Sequence, residues 1–167
     1  MTGLYFTLMS QMGQKIIIYK ELISLLRKEW GSISEYSYED IQEIVNKKET
    51  LVLKMQVLEE NRIEVVNAIA KNLGMVSKEL TLKKLIASID HPVKIKLMKH
   101  RNTLLKQIKT IAELNQVNRG LIDSSSLSIK KSLAFIHKTQ SEAEAGYHSD
   151  GLINEGKTSS RMLSLEA

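Results

Sequence analysis

From Leu97 to Ile136 the chain holds a 3-4 spacing without a skip, through Leu97, Arg101, Leu104, Ile108, Ile111, Asn115, Asn118, Ile122, Ser125, Ile129, Ser132 and Ile136. That period keeps one side of an α-helix turned to one partner. It predicts a single helix over 92–138, about 70 Å long at the helical rise per residue. A rod of that length cannot curl into a globule and must lie along other rods.

The other rods are legible too. Met9, Met12, Ile16, Tyr19, Ile23, Leu26 and Trp30 form one stripe, which Gly31 and the polar stretch to Tyr38 are expected to end. A second helix is predicted over 39–73, about 52 Å long. Its stripe is Ile41, Ile44, Lys48, Leu51, Met55, Leu58, Arg62, Val65 and Ile69. Ser37 is expected to cap it through its hydroxyl, with Asp40 favouring the positive helix end. Gly74 stands where a left-handed C-cap is wanted. Thr81 to Ile89 reads as a short helix. Asp90-His91 precede Pro92, the only proline, at the start of the long helix, where proline is tolerated. The resulting expectation is an all-α fold: an elongated antiparallel bundle of three long helices with coiled-coil-like packing over 1–138, then a mobile C-terminal tail over 139–167, where the periodicity dies.

Composition narrows the function classes. Aromatics make up only 5% of the chain, which argues against a sheet-rich fold, and 43% hydrophobic residues exclude a disordered one. No cysteine is present, so disulfides and thiolate metal sites are excluded. The most apolar stretch, Ile16 to Leu26, is interrupted by Lys20 and Glu21 and is too short to span a bilayer. The first fourteen residues lack the positive start of a signal peptide. A soluble, cytoplasmic protein without membrane insertion is expected.

Charge is unevenly placed. Residues 31–73 hold five basic and eight acidic groups, net −3, and residues 74–110 hold nine basic and two acidic, net +7. The basic run Lys94, Lys96, Lys99, Arg101, Lys106 and Lys109 lacks interleaved aromatics for base stacking. It is read as a solvated face complementing the acidic second helix, and no nucleic-acid partner is expected.

No pattern supports catalysis, a cofactor or a metal. Gly151 to Thr158 (GLINEGKT) satisfies the P-loop pattern letter for letter, but polar residues precede it and nine residues follow. A phosphate cradle needs a buried strand before it and a helix after it. His91, His100, His137 and His148 show no ligand spacing. Glu59, Glu60 and Glu64 read as a solvated face.

The second half of the long helix is the most informative segment. Its stripe thins to Asn115, Asn118, Ser125 and Ser132, with Ile122, Ile129 and Ile136 retained and Leu114, Leu121, Leu127, Leu133 and Phe135 to the sides. Two readings stand level: the asparagines fix helix register in a core, or the face is an under-filled groove awaiting a partner's apolar helix.

Along most of its length the sequence resembles FlgN-type flagellar export chaperones, especially those of Gram-positive bacteria. Lys47 to Gly74, KKETLVLKMQVLEENRIEVVNAIAKNLG, is similar to the family's second-helix pattern. Asn115, Asn118, Leu121, Ile122, Ser125, Ser132 and Leu133 match its N-x-x-N-x-x-L-L and later Ser-Leu positions. Tyr147 to Gly151 resembles its Tyr-Gly-Pro-Asp-Gly, with His148 and Ser149 replacing Gly-Pro, and Ser164 to Ala167 resembles its closing segment. Gly120 departs from the pattern by sitting mid-helix.

The resemblance implies a cytoplasmic chaperone of the hook–filament junction proteins FlgK and FlgL, which binds their C-terminal helices, keeps them unassembled and delivers them to the export gate. Leu114, Asn115, Asn118, Leu121, Ile122, Ser125, Ile129, Ser132 and Leu133 are then the expected cargo-binding residues, and Tyr147 a gate contact. The rival expectation is a structural coiled coil whose apolar stripe pairs with itself as a homodimer.

Overall fold

A computed structural model describes residues 2–77, 80–89 and 92–144, with backbone alone for 139–144. Its elements are α1 (Thr2–Ser34), α2 (Tyr38–Asn72), α3 (Leu82–Ser88) and α4 (Val93–Glu144). All regular structure among the described residues is helical, and three of the four helices are long. The chain divides into two compact units, Met1–Ile122 and Asp123–Ala167.

Helix α1 runs through its expected stop at Gly31 and ends three residues later. A mid-helix glycine costs about 1 kcal/mol relative to alanine, and continuing the helix buries Ile33 to 5% exposure, worth about 1.5–3 kcal/mol. Burial wins. The chain turns at Tyr36, which takes φ 55°. Ser37 N–H then donates to Ser32 O at 3.0 Å, and Tyr36 N–H to Ile33 O at 3.3 Å. Those are the paired bonds of a Schellman cap, with tyrosine where glycine is usual.

The end of α2 follows the sequence expectation. Gly74 takes φ 66°, Met75 N–H donates to Ala70 O at 3.0 Å and Gly74 N–H to Lys71 O at 3.2 Å. Its start does not. Ser37 is the N-cap residue but makes no side-chain cap bond; its hydroxyl donates to Asp40 Oδ2 at 2.7 Å instead. The carboxylate is a charge-assisted acceptor, and the side-chain position that reaches it leaves the serine oxygen without a first-turn N–H to accept from. Thr81 does cap α3, accepting from Lys84 N–H at 3.2 Å.

Contacts within Met1–Ile122 give the helix directions. Lys15 pairs with Glu59 and Glu29 with Lys48, so α1 and α2 run antiparallel. Gln107 Nε2 donates to Ile16 O at 3.0 Å and Asn118 Nδ2 to Leu26 O at 2.8 Å, so α4 runs parallel to α1. The apolar core gathers the start of α1 (Leu8, Met12), the end of α2 (Ile69), α3 (Leu85, Ile86) and the start of α4 (Val93, Leu97). The short α3 fills that corner where α2 hands over to α4. Helix α4 itself reaches Glu144 rather than stopping at Lys138.

Candidate functional site

The nine residues expected to face a partner all lie on α4, but they do not share one environment. Asn118 is 3% exposed, and Leu114, Leu121 and Ser125 are half-buried, whereas Asn115 and Ser132 are exposed. Ile122, Ile129 and Leu133 are 48%, 52% and 51% exposed. The inward side of α4 within the first unit follows Leu97, His100, Leu104, Gln107, Ile111, Leu114, Asn118 and Leu121, each buried or half-buried. Every second member belongs to the stripe read from sequence, but at the alternate steps the helix turns in the residue three on instead of four. Asn115 and Ile122 therefore point away from that side. They are seven residues apart, and an ideal helix drifts only about 20° per heptad, so they stay on one stripe.

In the second unit, every described side chain from Ser126 to Lys138 is exposed, including Leu127, Ile129 and Leu133. Ser128 and Ser132 turn their hydroxyls back onto the carbonyls four residues earlier, at 3.1 and 3.0 Å. Serine spent in this way offers little to a partner, so recognition there falls to the aliphatic side chains.

Asn118 has its side-chain amide engaged on two acceptors, Leu26 O and Glu29 Oε2, both at 2.8 Å. Glu29 in turn receives Lys48 Nζ on both carboxylate oxygens, at 2.8 and 2.9 Å. One residue from each long helix thus meets at a buried polar node. The register reading of Asn118 has this geometry behind it. Nothing in the α1 stripe read from sequence included Glu29: the stripe ended on Trp30, which is 51% exposed.

Glu59 is not the solvated residue expected of its cluster. It accepts from Lys15 Nζ at 3.1 Å and from Arg62 Nε at 3.0 Å. The Arg62 hydrogen bond, partly opposed by burial and helped by Lys15, lowers its pKa from 4.5 to about 2. The same bond raises that of Arg62. Glu60 and Glu64 are exposed, as expected. Lys96, Lys99, Lys106 and Lys109 of the basic run are also exposed. Among the described residues the cross-helix ion pairs join α1 to α2, and Lys109 pairs with Glu113 on its own helix.

Tyr147, Asp90, His91, His148 and the P-loop-like string lie outside the described residues. Among the described ones, no group of three or more His, Asp or Glu is placed to hold a metal ion, and no helix is long and apolar enough to cross a membrane. What the described surface offers chemically is exposed aliphatic area on helices, the material of helix-in-groove binding.

The protein-family comparison matches residues 1–155 to FlgN, described as FlgN protein. No curated protein and no solved structure matches the chain.

Proposed function

The chain belongs to the FlgN family of flagellar chaperones, and from that premise we propose that it is a cytoplasmic export chaperone of the hook–filament junction proteins FlgK and FlgL. It binds their C-terminal helices, keeps them from assembling prematurely and hands them to the export gate, with Tyr147 as a gate contact. The observation that carries this is the family match over 1–155. The long helices support it as a bundle with coiled-coil-like packing.

The exposed side chains of α4 supply the physical means. Ile122, Ile129 and Leu133 are the anchors, each about half exposed before binding, and covering the remaining half is worth about 0.7–1.5 kcal/mol for each. Ordering a cargo segment offsets part of that gain, which leaves an affinity compatible with release. Asn115 offers a polar contact beside them. Leu114, Asn118, Leu121, Ser125 and Ser132 complete the proposed set, the first three by shaping the helix from its inward side.

Capture from the lysate of a flagellated source cell tests the reading, using the tagged full chain beside a version ending at Lys138. Recovery of FlgK and FlgL by both supports cargo binding on the helices. Failure of both, with only self-association seen, would replace the chaperone reading with a homodimeric coiled coil.

A further inference from the structure

Within Met1–Ile122 a cavity of about 210 Å³ opens between α1, α2, α3 and α4. Its apolar wall includes Leu8, Leu58, Leu82, Leu85, Leu104 and Ile108. A cavity of roughly 150 Å³ with aliphatic walls is large enough for a benzene ring. Charged side chains stand among this greasy lining. Lys15 and Arg62 both bind the carboxylate of Glu59, the one acid among the described lining residues. Two cations sharing one carboxylate leave the lining with a net positive charge.

We propose that this cavity is a socket for a peptide segment in which a benzyl-sized apolar side chain stands next to a carboxylate. The side chain enters the apolar pocket and the carboxylate settles on Lys15 and Arg62. Each part answers one feature of the site: volume and surplus charge. A purely apolar occupant would cover the surplus charge without giving it a partner, and burying an unmet charge costs affinity. The socket is separate from the α4 anchors, so its test does not depend on which cargo those anchors take.

N-acetyl-L-phenylalanine carries both groups and is the probe. The methyl resonances of the full-length protein are followed during titration, alongside N-acetyl-L-phenylalaninamide, which lacks the carboxylate, and N-acetylglycine, which lacks the ring. The expected result is saturating shifts confined to Leu8, Leu82, Leu85, Leu104 and Ile108, with a dissociation constant on the order of 1 mM for so small a ligand. The amide should bind about fivefold more weakly, and N-acetylglycine should produce no saturating shift. Arg62→Gln should erase the difference between acid and amide, and Leu104→Phe, which fills the space, should abolish binding of both. Should Leu104→Phe fail to fold, the Arg62→Gln comparison decides alone. Equal affinity for acid and amide in the unaltered protein, or shifts that spread over the surface without saturating, would overturn the proposal.

Discussion

Asn118 of α4 donates to the carboxylate of Glu29 on α1 at 2.8 Å, on the oxygen that Lys48 of α2 also reaches, at 2.9 Å. Glu29 is 7% exposed, so its charge is tolerated only because both partners are in place. Removing one partner from such a node strands a charge, whereas removing all of it leaves an apolar contact. Lys48→Met is therefore expected to destabilise the fold by about 3 kcal/mol, and Asn118→Leu by about 1–3 kcal/mol. The combined Glu29→Leu, Lys48→Leu, Asn118→Leu protein should recover most of the loss. Urea denaturation of the three proteins measures this, and a triple variant as unstable as the sum of its parts would contradict it.

Tyr36 holds φ 55° at the end of α1, a conformation that costs a side-chain-bearing residue about 1–2 kcal/mol. Glycine there removes the strain but adds freedom to the unfolded chain. The expected net effect of Tyr36→Gly is a stabilisation of about 0.5–1 kcal/mol, read as a rise in melting temperature of about 1–4 °C. Tyr36→Val, branched at Cβ, should lower it.

Much of this was readable in advance, and the exceptions have one cause. Every residue named on the α2 stripe, from Ile41 to Ile69, is buried or half-buried. Even Lys48 and Arg62 belong there, because their long stems lie along the apolar seam while their charges find Glu29 and Glu59. The Gly74 cap could be placed because only a local backbone requirement was involved. On α4, by contrast, the inward positions His100 and Gln107 were passed over for Arg101 and Ile108. A hydrophobic period scores isoleucine above glutamine, but Gln107 is drawn in by the Ile16 carbonyl on another helix. Glu29 was missed for the same reason. Neither partner lies within a window of sequence, so periodicity along one helix has no access to them. Of the expected partner-binding residues, the pattern placed Ile129 and Leu133 where they are exposed; it had no means of separating Asn118, held by α1, from Asn115.

Glu59 makes stability depend on acid. Its folded pKa of about 2 lies below its ordinary value of 4.5, so the pairing with Arg62 and Lys15 contributes fully above about pH 4.5. The contribution fades as pH falls from there through 2, because protonation removes the charge that both cations bind. Glu59→Gln should be less stable than the unaltered protein at pH 7, and the two should converge as pH approaches 2. The difference is expected to be modest, since Glu59 is 40% exposed and solvent screens the pair. Denaturation midpoints at pH 7, 4 and 2.5 supply the test; a gap that stays constant across them would refute the assignment.

The α4 anchors can be tested without disturbing the fold, provided the right positions are chosen. Leu121 is half-buried, so aspartate there would weaken the helix packing along with any partner contact and leave the cause of a lost interaction undecided. Ile129 and Leu133 are 52% and 51% exposed, and surface substitutions of that kind usually change stability by less than about 0.5 kcal/mol. Ile129→Asp and Leu133→Asp should keep the helical content and melting temperature of the unaltered chain. Each also removes aliphatic area that a docking helix would cover, about 0.7–1.5 kcal/mol apiece for a side chain already half buried, which corresponds to a loss of affinity of about three- to twelvefold. Titration of purified FlgK and FlgL C-terminal segments into each variant measures it. Undiminished affinity in both variants, with their helicity intact, would remove this face of α4 as the cargo surface.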